Sequence, residues 1–106
     1  MKYKSKRANE TDIPKHVKLA VMKRDNGKCV ICWKNGLPNA HFIARSQGGL
    51  GIEENIVTLC MECHRQYDNG YKHEEYYEYI KKYLSSKYEN WSIDNLIFKK
   101  WNNFEI

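Results

Sequence analysis

No run of apolar residues in this chain is long enough to cross a bilayer: the ~18 consecutive apolar residues such a span needs occur nowhere in its sequence. The charged start Met1-Lys2-Tyr3-Lys4-Ser5-Lys6-Arg7 has no apolar segment behind it, so no signal peptide is read there. Internal repeats and low-complexity stretches are missing as well. These absences lead us to expect a soluble, cytoplasmic protein. In that compartment the only four cysteines stay reduced, which favours metal binding over disulfides.

Apolar mass is limited too. A hydrophobic fraction of 42% in 106 residues allows one domain with a small core. Chains of this size often need a staple, either a metal or disulfides. Acidic residues are scarce at one end. Residues 1–28 carry nine basic side chains (Lys2, Lys4, Lys6, Arg7, Lys15, Lys18, Lys23, Arg24, Lys28) against Glu10, Asp12 and Asp25. A localised basic arm suits a polyanion such as nucleic acid, and equally a solubilising tail.

Residues 1–11 read as a flexible basic arm, and 12–106 as a single domain with a core over about 24–70 and a helical part over 74–106. Asp12 is placed to cap a helix, with Pro14 in its first turn. Ile13, Val17, Ala20, Val21 and Arg24 fall at helical spacing, and Asn26-Gly27 stops the helix. Asn35-Gly36 and Pro38 mark a turn. Residues 40–44 are short, apolar and strand-like, a glycine-rich loop spans 46–51, and 55–59 read as a second strand. A helix is predicted from the second cysteine pair through His64 and Tyr67, ended by Asp68-Asn69-Gly70. Another is predicted over 74–88, with Tyr76, Tyr77, Ile80, Tyr83, Leu84 and Tyr88 on one face. A last helix, capped by Ser92, has Ile93, Leu96, Ile97, Trp101 and Phe104 on its apolar side. The fold class is therefore α+β, with one N-terminal and two C-terminal helices.

The cysteines form two C-x2-C pairs, Cys29/Cys32 and Cys60/Cys63, with 27 residues between them. Four thiolates in two matched pairs suit one tetrahedral Zn²⁺. A β-hairpin between the pairs would return the chain to its starting point. A site closed by four cysteines leaves zinc no open position, so this zinc is read as structural and not catalytic.

Of the four histidines, His16 and His73 read as ordinary residues. His41 and His64 differ by their surroundings. The stretch from Arg24 to His64 resembles the HNH endonuclease family. The resemblance rests on Arg24-Asp25, Cys29-x2-Cys32, residues 41–49 (HFIARSQGG), residues 54–59 (ENIVTL) and Cys60-x2-Cys63-His64. Small HNH proteins of phages and prophages are the most similar group, which would put the protein in a bacterial host cell.

The resemblance implies a ββα-metal core, a hairpin and a helix with a divalent cation between them. His41 would be the general base. Asn55 would brace the hairpin loop so that His41 points correctly, or, as in some relatives, sit near the metal, and His64 would hold a catalytic Mg²⁺ or Mn²⁺. The implied activity is endonucleolytic hydrolysis of DNA to 5′-phosphate and 3′-hydroxyl ends. Neutral imidazole, with an ordinary pKa of about 6.5, can take a proton from water near pH 7, so activity is expected to fall below about that pH. Where relatives often carry Asp or His before the base, this chain has Ala40. The cation is then expected on His64, a backbone carbonyl, waters and the DNA phosphate. Arg45 and Arg65 read either as phosphate holders or as ordinary surface charges, and Lys2, Lys4, Lys6 and Arg7 as a DNA-binding arm. Two alternatives stand beside nuclease activity: a non-catalytic zinc-ribbon DNA-binding module, favoured by Ala40, and a packaging accessory that works with a phage terminase.

The cysteine spacing yields the first prediction. Elemental analysis should find one tightly bound zinc per chain. Its removal by a chelator should unfold the region between the pairs, because binding energy at such a site is folding energy. A folded, zinc-free sample would contradict it.

Overall fold

A computed structural model describes residues 6–99, with side chains from Ala8 onward. The fold is α+β. Its elements in order are α1 (Lys6–Thr11), α2 (Lys15–Asp25), β1 (Leu37–His41), β2 (Ile56–Leu59), α3 (Met61–Asn69) and α4 (His73–Lys87). Short 3-10 turns lie at Arg45–Gln47, Glu53–Asn55 and Ile93–Leu96. No helix among the described residues is long and apolar enough to cross a membrane.

The strands pair antiparallel, with Ala40 opposite Val57 and His41 opposite Ile56. β1 lies three residues earlier than the apolar run 40–44 predicts. Residues beyond His41 leave the ladder because the chain must turn into the loop. There Gly49 tucks under Ile43, where a Cβ would sit 1.6 Å from the Ile43 carbonyl oxygen. Alternation along β2 divides the core in two. Ile56 faces Val17 and Val21 of α2. Val57 and Leu59 face the larger cluster with Phe42, Tyr67, Ile80, Leu84 and Leu96. Phe42 stacks on Tyr77 of α4 with ring centroids 4.7 Å apart, and Tyr76 and Tyr83 of the same helix also pack against this cluster, whereas Tyr79 is exposed.

Three expectations need correction. The second half of the supposed flexible arm is helix α1. Its end is fastened by the Gly51 N–H donating to the Glu10 carbonyl at 2.9 Å, and Thr11 is buried. Contacts from forty residues away are invisible to local pattern. Asp12 does not cap α2: Pro14 occupies that position without a side-chain cap, and Asp12 pairs with Arg45 instead. The last predicted helix is a single 3-10 turn followed by extended chain. Leu50 N–H donates to the Leu96 carbonyl at 2.8 Å, and Phe98 N–H to the Gly48 carbonyl at 2.7 Å. Pairing with the glycine loop takes the backbone groups a helix would have used. Trp101 and Phe104 lie outside the described residues.

One buried ion pair ties the layers. Asp25, at the end of α2, accepts from Arg24 Nε (2.7 Å) and Nη2 (3.0 Å), from the Thr58 N–H of β2 (3.0 Å) and from the Tyr83 hydroxyl of α4. Arg24 also donates to the carbonyls of Glu53 (2.9 Å) and Ile56 (2.7 Å) and to the Tyr88 hydroxyl (2.9 Å). Burial would push the Asp25 carboxyl up. The hydrogen bonds from Arg24 and Tyr83, the Arg24 charge and the Thr58 N–H outweigh it and hold the pKa below its ordinary 3.8.

Removing one partner of such a pair strands the other, so Asp25→Ala should cost about 3–5 kcal/mol, read by urea unfolding of the zinc-loaded protein. A carboxyl whose folded pKa is depressed contributes stability that is full above its unfolded pKa. That contribution is lost as pH falls through the lower folded value. The variant should therefore be less sensitive to acid than the parent in the range below about pH 4.

Candidate functional site

The two C-x2-C turns meet. The four sulfurs of Cys29, Cys32, Cys60 and Cys63 all lie within 4.8 Å of one another, with Cys32 and Cys60 at 3.5 Å. Tetrahedral zinc with Zn–S bonds of about 2.3 Å requires S···S separations near ~3.8 Å, so the four could hold a structural metal such as zinc. Each turn is shaped by its backbone. Trp33, with φ 71°, closes the first by donating to the Cys29 carbonyl at 2.9 Å. Cys60 opens α3 by accepting from the Cys63 N–H at 3.4 Å. Burial raises the Cys60 thiol, but that N–H and the neighbouring thiols bring its pKa down to about 7.

His41 ends β1, half-buried. Its Nε2 lies 2.8 Å from the Thr11 carbonyl oxygen. A carbonyl can only accept, so Nε2 carries the proton and Nδ1 keeps the lone pair. Burial lowers the His41 pKa. The Thr11 carbonyl opposes that, the Arg45 charge adds to it, Asp68 opposes it, and His64 adds to it, with a net lowering from 6.5. Arg45, Asp68 and His64 thus stand near enough for their charges to be felt at the ring. A cleft of about 560 Å³ opens beside His41, bordered by Asn9, Asp12, Lys18, Asn39 and Arg45.

Asn55 is fully buried. Its Oδ1 accepts from the Ile43 N–H at 2.8 Å, and its Nδ2 donates to the carbonyls of Leu50 (2.8 Å) and Ile43 (3.2 Å). Its own carbonyl accepts from the Phe42 N–H at 2.7 Å. One side chain thus clamps both ends of the glycine loop just beyond His41.

His64 lies on the first turn of α3, with Nε2 3.1 Å from Asp68 Oδ2. The i,i+4 spacing puts both on one face of the helix. In the sequence Asp68 belongs to the helix stop Asp68-Asn69-Gly70, and its i,i+4 spacing from His64 is the signal that marks it as a partner of that histidine. The Thr11 carbonyl, Lys18 and Asn39 had no sequence signal, because only the fold brings them to His41.

Arg45 borders the cleft. Arg65 does not: it pairs with Glu62 on the outer surface of α3. Lys2 and Lys4, and the side chains of Lys6 and Arg7, lie outside the described residues. His16 is exposed. His73 stacks on Tyr67 with centroids 4.6 Å apart, and its Nδ1 meets the Tyr67 carbonyl at 2.7 Å, a packing role.

A cysteine-stapled hairpin running into a helix, with one histidine on each, defines a ββα-metal domain. The family model for HNH endonucleases matches residues 29–70. A protein named Anaredoxin from Nostoc sp. (strain PCC 7120) is 36% identical over 52 residues, covering 47% of this chain and 68% of that protein. The chain belongs to the HNH endonuclease family, which implies DNA as substrate.

The lowered His41 pKa moves the expected acid limit of the site. Loss of neutral imidazole should begin below the ordinary value of 6.5, not at it. Titration of the His41 ring by NMR in the zinc-loaded protein should give a midpoint under 6.5, and a midpoint above it would contradict the burial argument.

Proposed function

We propose that the protein is a divalent-metal-dependent endonuclease that hydrolyses DNA phosphodiester bonds with His41 as general base. The observation that carries this reading is the His41 ring itself: Nε2 is held by the Thr11 carbonyl at 2.8 Å, leaving Nδ1 as the proton acceptor of a side chain that lines an open, polar cleft. Nδ1 takes a proton from water, the resulting hydroxide oxygen bonds to phosphorus, and the bond to the 3′ oxygen breaks. The products are a 5′-phosphate and, once protonated, a 3′-hydroxyl.

The residues present fit a catalytic cation despite the buried methyl of Ala40. Two cis ligands on an octahedral ion with bonds of about 2.1 Å lie ~3.0 Å apart, and His64 Nε2 and Asp68 Oδ2 are 3.1 Å apart. Asp68 thus takes the part of the missing ligand before the base. Bound there, Mg²⁺ or Mn²⁺ would absorb the charge of the departing 3′ oxygen. Arg45, more than half exposed and paired to Asp12, exchanges that carboxylate for a phosphate oxygen when DNA enters. Lys18 extends the same positive edge. Arg65, Lys2, Lys4, Lys6 and Arg7 add affinity without reading bases. Asn55 acts by holding the loop and does not touch substrate.

Ala40 is also the observation that favours a non-catalytic zinc module or packaging accessory, and one assay separates the readings. In plasmid nicking with Mg²⁺ or Mn²⁺, His41→Ala should lose ~10²–10⁴-fold in rate, typical of a lost general base. Raising Mn²⁺ should not rescue it. His64→Ala and Asp68→Ala should lose activity that higher Mn²⁺ partly restores. A parent protein that cuts DNA with neither metal would hand the conclusion to the non-catalytic reading.

A further inference from the structure

We propose that residues 8–13 form a positioning strap for His41, seated by Gly51, which fixes the imidazole as its Nε2–H tautomer and so leaves Nδ1 as the ring's acceptor. The strap crosses the hairpin from outside the segment that the family model covers. It meets the site at three successive residues. The Glu10 carbonyl accepts from the Gly51 N–H at 2.9 Å. The Thr11 carbonyl accepts from His41 Nε2 at 2.8 Å. The Asp12 carboxylate pairs with Arg45.

Its internal geometry suits a rigid part. The Asp12 N–H donates to the Ala8 carbonyl at 3.0 Å, and the Thr11 hydroxyl donates to the same oxygen at 3.3 Å. Thr11 is buried, so its carbonyl has a fixed direction. A histidine at the end of a strand can otherwise rotate about its side-chain torsions and exchange tautomers. A single fixed acceptor removes both freedoms, which is how a supporting shell holds a reactive group in place.

Gly51 is the slot. A Cβ there would stand 1.9 Å from the Asp12 carbonyl oxygen and 2.6 Å from its carbon. Both are backbone atoms, which cannot swing aside as a flexible side chain can. Gly51 is not among the glycines with positive φ, so alanine is tolerated by its own backbone and the collision with the strap is what it introduces. Asn55 enters the same chain of contacts: it holds the Leu50 carbonyl at 2.8 Å, Leu50 precedes the slot, the slot seats the strap, and the strap orients His41. Thr11 is thus a positioning residue through its main chain, and Gly51 is one at second hand.

The catalytic consequence rests on His41 being the base, but the tautomer can be read without catalysis. The test uses the full-length, zinc-loaded chain and its Gly51→Ala variant, with long-range ¹H–¹⁵N correlation of the His41 ring. The parent should show a single Nε2–H imidazole, with nuclear Overhauser contacts from that proton to Thr11 and Asp12. Gly51→Ala should lose those contacts and show mixed tautomers while keeping its zinc. In plasmid cleavage, kcat should drop about 10²-fold, as for a misplaced group near the chemistry, while KM for DNA stays within twofold. An Nδ1–H ring in the parent overturns the proposal whether or not the variant folds. So does a folded variant with the parent's tautomer and contacts, or a loss confined to KM. A parent inactive with every divalent metal, yet showing the tautomer change, removes the nuclease reading and leaves the strap standing.

Discussion

Everything in this domain hangs on bringing four sulfurs together. A sheet of two strands, five and four residues long, is marginal on its own in water. Closing the chain between Cys32 and Cys60 costs entropy that so little hydrogen bonding does not offset. The cysteine cluster closes that loop at both ends, and a metal held there would add directly to folding. Its place in the chain also has a chemical consequence. His64 directly follows the last cysteine, and His41 ends the strand that leaves the first pair, so the staple that closes the hairpin sets the two histidines on opposite elements of one small site.

A second tie, the buried Arg24–Asp25 pair, decides what surrounds the hairpin. Its hydrogen bonds reach β2, the turn at Glu53, and both Tyr83 and Tyr88 at the far end of α4. Charges buried this way contribute less to net stability than to choosing one arrangement, because each alternative leaves a charge without partners. By fixing α2, the pair also fixes Pro14 at its start, and hence the line along which residues 8–13 approach His41.

The site is therefore supported from two sides. Asn55 clamps the glycine loop from beneath, and the strap meets the imidazole from above. His64 and Asp68, one helical turn apart on α3, pair with each other. None of these supports needs to touch DNA. Their shared effect is to restrict one ring to one orientation and one tautomer, which is what the proposed general base would require, since its lone pair must point at the proton it takes.

The sequence by itself determined the parts whose signal is periodic or paired. Two C-x2-C pairs define a cluster able to hold a metal, the apolar face of 74–88 defines α4 to within a residue at each end, and the order of His41, Asn55, Cys60, Cys63 and His64 identifies the family. These signals survive because ligand spacing and helical periodicity are local. Tertiary structure alone decided that α1 exists, that β1 begins at Leu37, that the chain after Ser92 makes one 3-10 turn and then runs extended, and that the Thr11 carbonyl, Lys18 and Asn39 border His41. Each of those rests on backbone hydrogen bonds or close approaches between segments tens of residues apart. A carbonyl oxygen is common to every residue, so no side-chain pattern announces which one the fold will use.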